Sequence, residues 1–196
     1  MKKNILMASI ALTIAAVSCK KDDTNNNNTG TTVAVTKTFK VRYGRTVEYG
    51  LFRFSDASLR PKTDSASANW DFGIIHQNYA PNIMINSNAS GPGAAGVIVQ
   101  NSFLDSVKTA PTMGYAFDTS ATQRAVKSSA WYNYNPQTRL PQLVTPRTFI
   151  LKTANGTNYA KMEMLNIGYD TLINMQPDSL KYTIRFSYQA NGSTTF

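Results

Sequence analysis

Apolar and polar residues alternate with a period of two along much of the chain after residue 33. Residues 38–43 (Thr-Phe-Lys-Val-Arg-Tyr) and residues 180–188 show this alternation most clearly. Such spacing places one face of a strand on a core and the other face in water. Runs rich in β-branched and aromatic residues predict further strands at 47–54, 70–75, 82–85, 97–103, 130–134, 148–153 and 159–167.

Turn-forming residues separate the predicted strands. They comprise Asn155-Gly156, Asn191-Gly192, the glycine-rich residues 91–96 and the prolines at 136, 141, 146 and 177. Only residues 104–110 and 121–128 have a pattern that a helix could use, and both segments are short. The sequence therefore predicts an all-β, single-domain, antiparallel β-sandwich-like fold over residues 33–196.

The first 18 residues predict a secretory signal peptide. Lys2 and Lys3 precede an apolar run at residues 5–17, which is shorter than the about 20 residues that a membrane-spanning helix needs. The run ends in small residues before Cys19, the only cysteine, and this pattern resembles a bacterial lipobox. We expect cleavage before Cys19 and lipidation of that residue. The alternative is a plain signal peptide followed by an incidental cysteine.

Residues 19–32 predict a flexible tether behind the lipid anchor. Residues 24–32 contain only Asn, Thr and Gly, which cannot bury enough apolar area to offset the entropy of ordering. The preceding Lys20-Lys21-Asp22-Asp23 resembles the surface-export signals of Bacteroidota lipoproteins. We therefore expect a protein anchored by its lipid in the outer membrane and facing the outside of the cell.

The composition favours binding over catalysis. The chain has a single cysteine, a single histidine, His76, and two glutamates, which leaves no Cys/His zinc site, no internal disulfide and little acid/base chemistry. We expect no enzymatic activity. The formal net charge is +9, but the basic residues are spread along the chain without a dense patch, so a nucleic-acid partner is not expected.

Two local patterns have a structural interpretation. Residues 91–96 match G-x-G-x-x-G, but the following Val97-Ile98-Val99 predicts a strand, whereas a nucleotide site needs a helix there. We therefore interpret residues 86–96 as a loop between two strands.

His76 ends an apolar strand and is expected to be packed or hydrogen-bonded. Met84, Met162 and Met164 are expected to fill the core.

Several segments, taken in their order, resemble the HmuY-like haem-binding lipoproteins of Bacteroidota. These segments are residues 70–73 (WDFG), 86–96, 111–115 (PTMGY), 130–134 (AWYNY), 147–156, 160–162 and 182–189. The resemblance covers roughly residues 33–196, nearly the whole mature chain. It implies an all-β fold, outer-membrane anchoring, and capture of haem for delivery to a TonB-dependent outer-membrane receptor.

The resemblance also points to a set of candidate ligand contacts. Haem-binding members of this family use two axial His or Met ligands, but residues 116–130 and Asn135-Pro136, where these ligands are expected, contain neither. Haem iron also accepts Tyr, and Tyr132 and Tyr134 share one face of a strand. The candidates are therefore Met113, Tyr132 and Tyr134 for the haem, with Arg139 for a propionate or another small anionic ligand. The alternative function is a non-haem binding module of the same fold that recognises a protein or a glycan.

Overall fold

The computed structural model of the protein describes residues 33–44, 46–138, 140–173 and 176–196. The predicted signal peptide (1–18), the tether (19–32) with Cys19, and Arg139 lie outside these residues. The described strands are β1 (Val35–Arg42), β2 (Glu48–Arg53), β3 (Ser58–Arg60), β4 (Phe72–Gln77), β5 (Ala80–Ile85), β6 (Gly96–Gln100), β7 (Tyr132–Asn135), β8 (Leu140–Leu143), β9 (Thr148–Lys152), β10 (Tyr159–Tyr169), β11 (Leu172–Ile173), β12 (Gln176–Pro177) and β13 (Ser179–Gln189). The described helices are single 3₁₀ segments at Lys62–Ala66, Leu104–Ser106 and Ser128–Ala130.

Two antiparallel sheets form the body of the molecule. One has five strands in the order β1-β13-β10-β9-β6, and the other has four in the order β3-β2-β4-β5. Two small hairpins, β7–β8 and β11–β12, are added to them. The fold is therefore all-β with antiparallel sheets, as predicted, and strand residues far outnumber helical ones.

The alternation of residue types places the core between the two sheets. Along β13 the side chains of Leu180, Tyr182, Ile184 and Phe186 are buried, while the positions between them are partly exposed. Phe186 meets Phe52 of the other sheet with ring centroids 5.5 Å apart. Burying such side chains contributes about 2 kcal/mol each, so the period-two pattern is the main source of stability.

The structure corrects the prediction at two prolines and in the short strands. Pro141 and Pro177 were expected in turns, but they lie within β8 and β12. Each belongs to a two-stranded hairpin with a free edge, and a free edge tolerates a residue that cannot donate a backbone hydrogen bond. Strands β3, β8, β11 and β12 were not predicted. Of the two segments with a helical pattern, 104–110 forms only the 3₁₀ turn Leu104–Ser106, and 121–128 has no helical residue except Ser128, the first residue of Ser128–Ala130.

The loop between β5 and β6 is organised around a buried amide. Asn86 Nδ2 donates to the carbonyl oxygens of Trp70 at 2.6 Å and Ser67 at 3.0 Å, and Asn86 Oδ1 accepts from Gly93 N–H at 3.0 Å. The prediction of a loop followed by a strand is confirmed, because β6 begins at Gly96. The glycines of the loop allow its backbone to approach Asn86 closely.

Candidate functional site

A cleft of about 370 Å³ opens at the end of the sandwich where the two small hairpins lie. Four tyrosines line it, and the other lining residues are uncharged among those that the structure describes. The lining residues are Tyr43, Asn78, Tyr79, Tyr134, Thr138, Leu140, Tyr169, Leu172, Gln176 and Pro177. Aromatic walls, a few polar groups and a volume in the range of about 300–1,000 Å³ are typical of small-molecule sites.

Tyr43 and Tyr79 form a rigid aromatic corner on one side of this cleft. Their ring centroids are 5.4 Å apart and their planes meet at 63°, an edge-to-face arrangement. The Tyr43 hydroxyl donates a hydrogen bond of 2.6 Å to the carbonyl oxygen of Tyr79. The backbone N–H of Tyr79 donates to the carbonyl oxygen of Gly44 at 3.1 Å. The aromatic corner is therefore held in place by the protein itself.

His76 lies beneath the aromatic corner and is fully buried. Its ring meets the Tyr43 ring edge-on, with centroids 5.4 Å apart. Nδ1 donates to the carbonyl oxygen of Arg42 at 2.7 Å, and Nε2 accepts from the Tyr182 hydroxyl at 2.6 Å. Burial lowers the pKa of His76 to about 4, although the Arg42 hydrogen bond opposes this shift. The prediction of a packed, hydrogen-bonded histidine is confirmed, and neither ring nitrogen is open to a ligand.

Strand β7 brings one of the two predicted tyrosines into the cleft. Tyr134 lines the cleft and its side chain is 58% exposed. Tyr132 is half-buried and packs edge-on against Trp131, with ring centroids 4.8 Å apart. Burial also raises the pKa of Tyr132. Of these two tyrosines, only Tyr134 lines the cleft, and Tyr132 stays a predicted ligand contact.

Met113 lies elsewhere on the molecule. It is 78% exposed and belongs to the segment before Ala116, which pairs with Val97 at the start of β6. The turn around it is closed by the Tyr115 hydroxyl, which donates to the Pro111 carbonyl oxygen at 2.8 Å. Met113 is thus outside strand pairing, as expected, but it does not line the cleft. Arg139 is outside the described residues, although both of its neighbours, Thr138 and Leu140, line the cleft.

Three tyrosines of the cleft were not singled out from the sequence. Tyr43 follows the last residue of β1, Tyr79 lies in the turn between β4 and β5, and Tyr169 ends β10. The alternation placed Tyr43 on the apolar face of its strand and so predicted a core residue, whereas Tyr79 and Tyr169 lie outside the predicted strands and were assigned no face. The signal that could have marked Tyr79 is an aromatic residue after an asparagine in a turn between two predicted strands.

The described lining of the cleft offers only one kind of atom that could ligate haem iron. Among the described lining residues the groups able to ligate haem iron are phenol oxygens. The Tyr43 hydroxyl is already committed to Tyr79, and burial raises the pKa of Tyr43 to about 12, which opposes its ionisation. The exposed Tyr134 is therefore the best-placed oxygen donor. The tyrosine rings offer flat apolar faces to a planar ligand.

Comparison with known proteins gives a distant structural likeness. No protein-family profile matches the chain, and no curated protein sequence matches it. The crystal structure of the Tannerella forsythia apo HmuY analog aligns with 80% of this chain and 97% of that chain, at 12% sequence identity and a TM-score of 0.43. At these values the likeness by itself assigns neither a family nor a ligand to this chain.

Two further observations concern the described residues as a whole. No group of three or more His, Cys, Asp and Glu side chains among them is placed to hold a metal ion. None of the helices in this part of the chain has the length and hydropathy needed to cross a membrane. The molecule so defined is an all-β protein with a preformed tyrosine-lined cleft.

Proposed function

We propose that this protein is a surface lipoprotein of the outer membrane that binds haem in the tyrosine-lined cleft. The single observation that carries the proposal is the cleft itself, with its four tyrosines and preformed aromatic corner. The HmuY-like order of sequence segments supports haem as the ligand. On this proposal the protein captures haem for a TonB-dependent receptor and performs no catalysis.

The position of the cleft suits a protein anchored through its N-terminus. Strand β1 starts at Val35 and pairs with β13 so that Val35 lies opposite Phe186, while Arg42 lies opposite Ser179. Tyr43 of the cleft follows at the far end of the strand. Eight residues of extended strand span about 25 Å. A lipid on Cys19 would therefore be joined to the end of β1 that lies away from the cleft.

Tyr134 is the residue we propose as the main haem contact. It is the most exposed of the four tyrosines in the cleft, and its hydroxyl and ring are both open to a ligand. Arg139, predicted from the sequence to pair with a propionate, follows Thr138 of the cleft lining. Met113 remains a predicted contact only for a ligand bound outside the cleft.

The alternative function is a module that recognises a glycan or a protein. The observation that favours a glycan is the uncharged character of the described lining, where Asn78, Gln176 and Thr138 offer hydrogen bonds beside tyrosine rings. A sugar ring needs such hydrogen bonds together with an apolar face. Haem needs in addition a cation for its carboxylates.

A haem titration followed at the Soret band distinguishes these functions. The full chain should give a saturable one-to-one change with ferric or ferrous haem. Tyr134→Phe should shift the Soret band if the phenol oxygen ligates iron, whereas Met113→Ala, outside the cleft lining, should leave it unchanged. If the unmodified protein shows no saturable Soret change, haem is not its ligand and the glycan or protein module becomes the better account.

A further inference from the structure

The turn between β4 and β5 places a bulky residue where glycine is preferred. The two strands pair up to Gln77 and Ala80, so only Asn78 and Tyr79 connect them. Both have positive φ, 49° for Asn78 and 62° for Tyr79. Two-residue hairpins of this kind favour Asn-Gly, because glycine has no Cβ to crowd the backbone. An aromatic residue at the second position is an outlier that needs a reason.

Packing supplies only part of that reason, because the Tyr79 ring meets the edge of the Tyr43 ring and leaves its remaining surface open. The Tyr79 side chain is 36% exposed and lies on the wall of the cleft rather than between the sheets. Two hydrogen bonds fix the backbone of Tyr79. Its N–H donates to the carbonyl oxygen of Gly44, and its carbonyl oxygen accepts from the Tyr43 hydroxyl. Neither bond requires a side chain at position 79. Residues held in rarely populated backbone conformations cluster at ligand sites, where the surroundings enforce them. The strained turn therefore holds the Tyr79 ring on the wall of the cleft.

The cleft around Tyr79 offers more aromatic surface than metal ligands. The imidazole of His76 is buried and both of its nitrogens are occupied. The Tyr43 hydroxyl is bonded to the turn itself. Apart from the exposed Tyr134 hydroxyl as a single iron ligand, the described lining of the cleft offers a ligand the aromatic rings of Tyr79, Tyr134 and Tyr169. Aromatic faces bind planar aromatic ligands whether or not these contain a metal ion.

We propose that Tyr79 is a preformed stacking platform, retained in a strained turn, through which the cleft recognises the ring face of a planar macrocycle rather than the metal at its centre. The proposal rests on the haem-binding function proposed above and names its recognition element. Metal-free protoporphyrin should then bind in the same cleft as haem.

The test combines two ligands with two glycine variants. The full chain is titrated with haem and with metal-free protoporphyrin IX by absorbance and by quenching of protein fluorescence. Tyr79→Gly removes the ring and relieves the strained backbone. Asn88→Gly is the matched control, because Asn88 is exposed, has a φ of 46° and lies in the loop after β5 outside the cleft lining.

The expected result is one-to-one binding of both ligands with dissociation constants within tenfold of each other. Tyr79→Gly should weaken both by at least tenfold, while its melting temperature stays within a few degrees because relief of the positive φ offsets the lost contact with the Tyr43 ring. Asn88→Gly should leave both affinities unchanged. Haem binding without porphyrin binding would overturn the metal-independent recognition and leave the proposed function standing. Unchanged affinity in Tyr79→Gly, or a fall in its melting temperature of several degrees, would overturn the role of Tyr79. Binding of neither ligand would refute the proposed function itself.

Discussion

Gly91 shows how one residue type permits the loop after β5 to close. A Cβ atom at this position would lie 2.1 Å from Asn86 Oδ1 and 3.0 Å from Trp70 Cζ2, in a place where the buried amide cannot move away. Gly91→Ala should therefore lower the free energy of unfolding by about 2 kcal/mol, as overpacking of an interior does. Gly44→Ala is the control, because nothing lies within 4 Å of its added Cβ. Urea denaturation measures both, and equal effects in the two variants would contradict the argument.

His76 predicts a specific pH dependence of stability. The folded protein keeps this residue neutral, because burial lowers its pKa to about 4 from the ordinary value of 6.5. Between pH 7 and pH 5 the unfolded chain gains a proton here and the folded chain does not. Acidification over this range therefore lowers the free energy of unfolding by about 2 kcal/mol, and above pH 7 the contribution of this residue is constant.

His76→Gln isolates that contribution from the titration of other groups. The variant can still hydrogen-bond, but it has no group that titrates in this range. Denaturation at pH 7 and pH 5 should show a smaller decrease in stability for the variant than for the unmodified chain. The same decrease in both proteins would show that His76 does not cause the pH dependence.

At this scale the sequence predicted core residues better than cleft residues. The buried state of His76, Met84, Met162 and Met164 followed from their places in alternating strands, and the structure confirms it. Tyr79 could not be assigned in this way, because its role depends on a positive φ and on the proximity of Tyr43, which is 36 residues earlier in the chain.

At the scale of elements, strand β10 carries both core residues and exposed residues. Met162 is fully buried between the sheets, whereas Leu165, beside the register shift of this strand, is 46% exposed. Met162→Ala should lower the free energy of unfolding by about 3 kcal/mol, because it leaves a cavity in a packed core. Leu165→Ala should cost about 1 kcal/mol or less. Equal losses in denaturant unfolding would contradict the assigned faces of β10.

The long strands were predictable from the sequence, and the small hairpins were not. The alternation is clear over residues 38–42 of β1 and over most of the eleven residues of β13. Strands β11 and β12 have two residues each, too few to show a period, and proline interrupts the pattern in β8 and β12. The cleft is formed largely by these hairpins and by the turn after β4, so its assembly required the three-dimensional structure.

At the scale of the whole molecule, the proposed function depends on an anchor at one end and a cleft at the other. Cys19→Ala should remove the lipid attachment and move the protein from the membrane fraction to the soluble fraction. Fractionation of cells producing either form measures the effect. Membrane association that does not change in the variant would contradict the lipoprotein proposal while leaving the cleft unaffected.

The most direct test of the central claim is the affinity for haem of two variants that each lose one exposed aromatic ring. Tyr134→Ala removes a ring from the cleft, and Phe103→Ala removes a ring that is 63% exposed and outside the cleft lining. Haem in the cleft predicts at least tenfold weaker binding for Tyr134→Ala, since a stacked aromatic contact contributes about 0.5–1.5 kcal/mol beyond its buried area. Phe103→Ala should bind within twofold of the unmodified chain. Equal affinities in the two variants would contradict haem binding in this cleft.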